Sequence, residues 1–557
     1  MYIRRKKTPN SPRQSIQIVE GYRDSKGNVK QRIVRHLGVF VDEVEEAKLV
    51  ALAQDLIAKI KAEQQDTIGQ GALFTYNAST SVKKGRPTKK RLEDIIPVSA
   101  VRLDEVVEIK RLVEGVHQIG GHVYDQMHFN QLLSRKRDNE MLRDLVLARM
   151  VKPDSKRGSV EYLSDQFDKN HDLDAIYRMM DKVHGQIPKI KELCFNSTLT
   201  LIPNKEISLV FFDVTTLYFE STEIDELRAF GYSKDHRFNT TQLVLALATN
   251  EDGLPLGYEL FSGNTAEVTT LLKAINSWQS YLKVKDVCFI ADRAMFSKAN
   301  LQALDESGYR YIVAAKLKTL KKEKQQQVLS EESYKPTIIG NDLTWIADLE
   351  HEGKRLITSY KSKRAINDAR ERQNILDKIN KTIGESGSTK KLISNSGVKK
   401  YTSSEDNKSY VDAEKIEQDA LWDGLHGLIT NDKTIAPQEA IAKYARLWVI
   451  EAQFRINKHN LQMRPIFHWT AGRIEAHIAM CYMSFAVLKT IEYKVALTQK
   501  ISVTNIVELL ISVQASILRH TKTGDLYRLP SAIKNEARKI YKTFNIKRHE
   551  HAEIYLK

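Results

Sequence analysis

Cysteine is nearly absent. The 557 residues hold only Cys194, Cys288 and Cys481, far apart and without a C-x-x-C pair. That argues against a structural zinc site and suits a reducing cytosol. No signal peptide is expected from the sequence either: residues 1–20 carry Arg4, Arg5, Lys6 and Lys7 with no apolar core after them,. The most apolar helical stretch, Ile478 to Leu488, is too short to span a bilayer, so no membrane partner is expected,. Acidic residues are in deficit, 70 against 86 basic, which gives a net charge of +16 and a pI near 9.3. Such an excess favours a polyanionic partner, because each Lys or Arg that neutralises a phosphate releases condensed counterions. A merely soluble basic protein is the alternative.

The length suggests three or four domains,. The first forty residues hold ten Lys/Arg against Glu20 and Asp24, half of the chain's net charge. Ser15 to Val19 and Val29 to Val34 read as strands around the turn Ser25-Lys-Gly-Asn28, followed by a helix from Asp42 to Lys61,. Residues 1–63 thus form a basic hairpin plus helix. It is either a DNA-contacting arm, with Arg4, Arg5, Lys6 and Lys7 as its contacts, or a hairpin with a solvated basic face. Residues 64–98 read as a basic linker. Within it, Lys83-Lys-Gly-Arg-Pro-Thr-Lys-Lys-Arg91 resembles an AT-hook, in which Arg86 would enter a narrow A·T minor groove; a basic linker without groove preference is the alternative,.

From residue 99 to 204 the pattern turns helical. Met141, Leu142, Leu145, Val146 and Ala148 recur at helical spacing until Lys152-Pro153, and Leu173, Ile176, Tyr177, Met180 and Val183 make a second apolar face,. Core packing is the default for such stripes, although the region could grip a DNA end. Residues 496–557 are expected to be helical, with dimerisation as one role. Near the terminus, Arg548-His549-Glu550-His551 with Glu553 has the composition of a metal tract, but an exposed helix end is the simpler reading.

Two acids stand at the ends of apolar runs. Asp213 follows Ile207-Ser-Leu-Val-Phe-Phe212, and Asp292 follows Val287-Cys-Phe-Ile-Ala291, both patterned as buried strands,. An acid there projects towards the crevice beyond the strand ends, where α/β sheets bind ligands; a turn or helix cap is the alternative for either. Later, Tyr444, Glu451 and Lys458 lie seven residues apart in a helix-like run from Gln438 to Leu461. At about 100° per residue they share one stripe. That is an odd choice for a core, while a solvated face is the plain reading. Two strand acids and one helix acid in this order fit a two-metal phosphoryl-transfer site, and hard divalent ions need only oxygen ligands.

These residues resemble the insertion-sequence transposases of the DDE class, in the branch with a Tyr-Arg-Glu-Lys signature. Tyr444, Glu451 and Lys458 fall in its register, whereas Leu447 stands where the signature has Arg. Arg446 and Arg455 are the candidates to take over that contact. Asp213-Val-Thr215 is similar to the family's first acidic block, and Asp292-Arg-Ala-Met-Phe-Ser297 to its second. Gly231-Tyr-Ser-Lys-Asp-His-Arg237, Gln242 and Phe261-Ser-Gly-Asn-Thr265 with Glu267 also match. Arg149 to Pro153 with Ser155 and Lys156 resembles a block ahead of the core, and Arg464-Pro465 with His468-Trp469 one that supports the catalytic helix.

The resemblance implies an α/β fold whose RNase-H-like mixed-sheet core spans residues 205–316 and 437–495. The hairpin Gln242–Thr249/Leu254–Phe261, a helix from Glu267 to Leu282, the Asp292 strand, the helix Lys298–Glu306 and the strand Tyr311–Ala315 give the β-β-β-α-β-α-β order of that core,. A β-rich insertion would occupy residues 317–436, with Trp345 and Trp422 as stacking candidates or core residues. The implied ligands of two Mg2+ ions, with Mn2+ as a substitute, are Asp213, Asp292 and Glu451. Lys458, with His459 beside it, and Tyr444 would hold phosphates. The implied partners are double-stranded DNA, at the element's ends and the target, and a second copy in a synaptic dimer; the implied place is the cytoplasm, on the nucleoid. Alternatives are a metal-dependent nuclease of the same fold and an inactive DNA-binding relative.

Overall fold

The computed structural model describes residues 1–7, 14–23, 29–40, helical positions between 43 and 57, 101–219, 223–231, 240–278, 287–291, 296–386, 400–405, 408–498 and 501–556. The 64–98 linker, with Arg86, and the second acid Asp292 lie outside them. The chain divides into two compact units. One comprises residues 1–112, 514–532 and 548–557, the other residues 113–513 and 533–547.

In the first unit, β1 (Tyr2–Lys7), β2 (Gln14–Arg23) and β3 (Val29–Phe40) form an antiparallel meander. Ile16 and Ile18 alternate inward on β2 and pack with Leu37, Phe40, Leu49 and Ala53,. The hairpin expected from the sequence is there, but the basic run Arg4 to Lys7 is a third strand in register with it, Arg4 opposite Gln17. The same unit holds a four-stranded sheet of β4 (Val106–Val113), β16 (Gln514–His520), β17 (Leu526–Pro530) and β18 (Glu553–Ile554), in the order β18-β17-β16-β4. The sequence pattern predicts helix on both sides of this pairing. The partners are about four hundred residues apart in sequence, so no local turn announces them. The terminal tract ends in a strand, where Glu553 pairs with Arg528 at 2.7 Å.

The second unit is built on a nine-stranded mixed sheet. Its strands are β5 (Leu209–Tyr218), β6 (Gln242–Thr249), β7 (Pro255–Ser262), β8 (Cys288–Ala291), β9 (Arg310–Ala314), β10 (Lys335–Ile339), β11 (Asp342–His351), β12 (Lys354–Tyr360) and β15 (Leu425–Thr430). Their spatial order is β10-β11-β12-β15-β9-β8-β5-β6-β7, while β13 (Thr402–Glu405) and β14 (Lys408–Val411) pair separately. The β5, β8 and β9 strands are parallel, and β6 and β7 continue from β5 antiparallel. The inserted strands therefore extend the central sheet through the β15–β9 pairing.

Alternation along β5 separates two cores. Val210, Phe212 and Val214 face the helices Glu267–Trp278 and Lys298–Glu306 with Leu271, Trp278 and Leu304. Leu209, Phe211 and Leu217 face the other way, into a larger core with Ile450, Phe454 and the helix Ala471–Ala496. That helix is longer than the apolar stretch Ile478 to Leu488 predicts: it has 26 residues and is apolar and long enough to cross a membrane by composition alone. Its apolar window is 94% buried within the protein, which makes it the central core helix. It packs against helices Lys136–Val151, Leu173–His184 and Ile187–Leu201. Local signals start and stop these helices. Asp172 accepts from the Ala175 amide at 2.8 Å and Ser155 from the Gly158 amide at 3.0 Å,; Lys152 caps the first helix just before Pro153.

Candidate active site

Asp213 lies within β5, half-buried, opposite Leu247 of β6. Its Oδ1 accepts from the Val214 amide at 2.7 Å. By the two-residue period of a strand it shares a face with Phe211 and Thr215. That face is covered by the helix Trp448–Arg455, which packs against β5 and β6 and carries Glu451 at an exposed position. Among the described residues, the parallel register of β5 with β8 runs from Leu209↔Cys288 to Phe212↔Ala291.

The expected single helix from Gln438 to Leu461 is three pieces. Pro437–Ala445 ends at Arg446, Trp448–Arg455 follows, and Ile456–Asn460 winds as a π-helical turn. Around the break the amides of Arg446, Leu447, Val449 and Ile450 each bond three residues back, to Lys443, Tyr444, Arg446 and Leu447. These tight bonds and the wider π turn change the angle per residue, so the seven-residue spacing does not put Tyr444, Glu451 and Lys458 on one straight stripe. Tyr444 instead lines a cleft of about 690 Å³ together with Leu447, Lys361, Lys363 and Arg364. Its ring lies 5.4 Å from that of His426, whose pKa burial and the nearby Arg364 cation lower to about 4.

Arg446 has other work. Its guanidinium binds the Glu251 carboxylate at 2.7 Å and the Glu251 carbonyl at 2.8 Å, in the β6–β7 turn. Two residues further round that turn, Gly253 has φ +75, and a Cβ there would sit 2.5 Å from the side-chain amide nitrogen of Gln453,. The turn and the Glu451 helix are thus fitted to one another. Arg455 and His459 are exposed and Lys458 is half-buried. In the first unit, Arg4 is tied to Gln17 at 2.7 Å and to Gln31 at 3.3 Å, Arg5 pairs with Glu46, and Lys6 and Lys7 are exposed. Trp345 is partly exposed, while Trp422 packs in a small core with Leu317 and Leu356.

Two supports escape a reading of the sequence alone. Gln242 is buried and donates its side-chain amide to the Gly263 carbonyl at 2.9 Å. A Cβ on Gly231 would meet that carbonyl at 2.0 Å, so Gly231, Gln242 and Gly263, all within the motif blocks, interlock as a backbone crossing. Arg149, also buried, donates to the carbonyls of Leu461 and Gln462 at 3.0 and 3.1 Å, where the π turn ends. Beside it Lys156 is buried with its Nζ 3.1 Å from His477 Nδ1. Burial, with Arg149 nearby, lowers Lys156 to about 7. Burial and the same two cations lower His468 to about 3 and push His477 well down. A basic residue followed by Lys-Pro at a helix end was the available signal for this anchor.

Among the described residues no three acidic, His or Cys side chains converge as a metal site. Asp292, the remaining member of the acidic set, is outside them. Asp213 and Glu451 offer oxygen donors only, the chemistry a hard divalent cation requires.

A mixed α/β core with an acid on its first strand and another on a later helix fits the pattern of a DDE recombinase. Residues 204–485, half of the chain, match the model of the Transposase DDE domain. Residues 3–67 match that of the IS1634 family transposase, N-terminal domain. The chain belongs to the DDE transposases of insertion sequences. No curated protein matches it.

Proposed function

We propose that this transposase binds the terminal inverted repeats of its insertion sequence, cuts there, and joins the freed 3′ end to target DNA, with Asp213, Asp292 and Glu451 as the acidic set. The observation that carries this is the placement of Asp213 on the face of β5 covered by the Glu451 helix, beside the parallel strand β8, whose last described residue Ala291 pairs with Phe212. The order β7-β6-β5-β8-β9, with three parallel strands and the antiparallel hairpin β6–β7 continuing from the first of them, supports an RNase-H-like core.

The three carboxylates would hold Mg2+, or Mn2+ in its place. When bound, the ions supply activation of a water or 3′-hydroxyl and charge stabilisation at the leaving oxygen. The chain's own groups do the positioning. The Lys458 ammonium, at the end of the Glu451 helix, would hold a phosphate beside the cut, and Tyr444 one further along the strand. Arg455, exposed one turn beyond Glu451, takes the role the signature assigns to the residue replaced by Leu447. Arg446 is less suited to it, because Glu251 already occupies its donor fork. Two ends must be brought together before joining, so the working form is a dimer on DNA in the cytoplasm.

The test is end cleavage on a labelled duplex carrying the repeat that flanks the gene. Wild type should nick at the repeat boundary with Mg2+. Asp213→Asn, Asp292→Asn and Glu451→Gln should bind the same duplex without cutting it. Normal cutting by any one of them removes that residue from the set.

A further inference from the structure

The helix Asn535–Thr543 has two sharply different faces. Ala537, Ile540, Tyr541 and, just past its end, Phe544 are buried in the large core of the second unit. The Tyr541 hydroxyl also binds the Gln118 side chain. The opposite face carries Arg538, Lys539 and Lys542, flanked by Lys534 and Lys547, all exposed, against the single acid Glu536. Among the described residues, none of Lys534, Arg538, Lys539 and Lys542 forms an ion pair. Elsewhere on the surface exposed cations do: Arg102 with Asp104, Arg111 with Glu108, and Lys189 with Glu192.

Such a face carries a cost. Arg538 and Lys542 are four residues apart, a spacing at which like charges destabilise a helix by about 0.2–0.5 kcal/mol per pair. Within three or four residues of Arg538, Lys539 and Lys542 the helix offers one acid, Glu536, three residues before Lys539,. The apolar face locks the helix to the body, so the charges are presented on a fixed surface. A rigid row of such cations fits a linear polyanion.

We infer that this face, Lys534, Arg538, Lys539, Lys542 and Lys547, is a DNA-backbone contact separate from the acidic site. It reads phosphate and not sequence, and holds duplex during cleavage and joining. The inference rests on the transposase reading for the identity of the polyanion as DNA.

The experiment uses the full chain without divalent metal and measures fluorescence anisotropy on a duplex of unrelated sequence across a salt series. The variant is Lys534→Gln/Arg538→Gln/Lys539→Gln/Lys542→Gln; its companion replaces the three lysines by arginine and keeps the charge. The glutamine variant should bind at least tenfold more weakly at low salt. Its log–log salt slope should be shallower by about 0.9 for each phosphate that is no longer neutralised. The arginine variant should match wild type. The melting temperature of the glutamine variant should not fall, because relieving like-charge repulsion does not destabilise the helix, and that of the arginine variant should match wild type. Unchanged affinity and slope in the glutamine variant would overturn the inference. Loss of a dimer with DNA affinity intact would also overturn it and assign the face to a second copy of the chain. Failure of wild type to bind any duplex, including its own terminal repeat, would instead overturn the transposase reading.

Discussion

Arg149 and Leu461, 312 residues apart in sequence, are joined by a buried hydrogen bond of 3.0 Å from guanidinium to carbonyl. The bond ties the end of helix Lys136–Val151 to the residue where the Glu451–Lys458 segment leaves its π turn. Asn457 works from within, accepting at its carbonyl from the Met463 amide at 3.0 Å and donating its side chain to the Gln453 carbonyl at 3.0 Å. The segment bearing the third acid is therefore held at its exit by an element outside the sheet.

Removing that tie should loosen the exit. Arg149→Ala strips charge-assisted bonds from three carbonyls, those of Leu461, Gln462 and Asp154, at a cost of about 3 kcal/mol,. End cleavage should fall more than tenfold while repeat binding stays within about threefold, and Arg149→Lys should recover part of the cleavage. Hydrogen exchange at the Leu461 and Met463 amides should accelerate in the alanine variant. Wild-type exchange there, with normal cleavage, would show that Arg149 does not position the segment.

The crossing at Gly263 leaves no room for a side chain. A Cβ would lie 2.0 Å from the Gln242 carbonyl oxygen and 2.5 Å from that of Ala229. Both obstacles are backbone, so neither can rotate away. Gly263→Ala is expected to cost about 3 kcal/mol or more in denaturant unfolding. A loss below about 1 kcal/mol would mean that β6 and the segment ending at Gly231 can separate.

Acid should destabilise the protein through its buried histidines. His468 titrates near 3 and His477 well below its usual value when folded, because burial disfavours their charged forms. The unfolded chain binds those protons near pH 6.5. Their stabilising contribution is thus fully present above about pH 6.5. It is lost as pH falls towards 3, by about 1.4 kcal/mol per pH unit for each proton the folded form excludes. Lys156, neutral in the fold above about 7, acts with the same sign at higher pH. Unfolding free energies of wild type and His468→Gln/His477→Gln between pH 4.5 and 6.5 should diverge, the variant showing the shallower slope. Parallel curves would place the acid sensitivity elsewhere.

Much of the sheet was legible because its signals are local. β5 and β8 are continuous apolar runs, and Asn250 and Gly253 mark the turn between β6 and β7: the Asn250 side chain accepts from the Asp252 and Leu254 amides at 3.0 and 2.8 Å. Asp213 stands out as an acid where apolar residues are expected. The β4–β16 partnership does not, since about four hundred residues lie between its strands. The break at Arg446 is hidden too. Nothing between Ala445 and Trp448 is a helix breaker by composition; the bend follows from docking Arg446 on Glu251 and Gln453 over Gly253. Spacing along an ideal helix therefore places Tyr444 beside Glu451, whereas the fold turns it into the cleft shared with Leu447 and His426.

Asp213 and Glu451 are proposed to act together at one metal-dependent cutting site. Mg2+-dependent nicking of the terminal repeat by wild type, Asp213→Asn and Glu451→Gln, with repeat binding measured in parallel, tests this. A nick at the repeat boundary is expected for wild type alone, with all three proteins binding the duplex alike. Equal nicking by either variant, or none by a wild-type protein that binds its repeat with metal present, would contradict it.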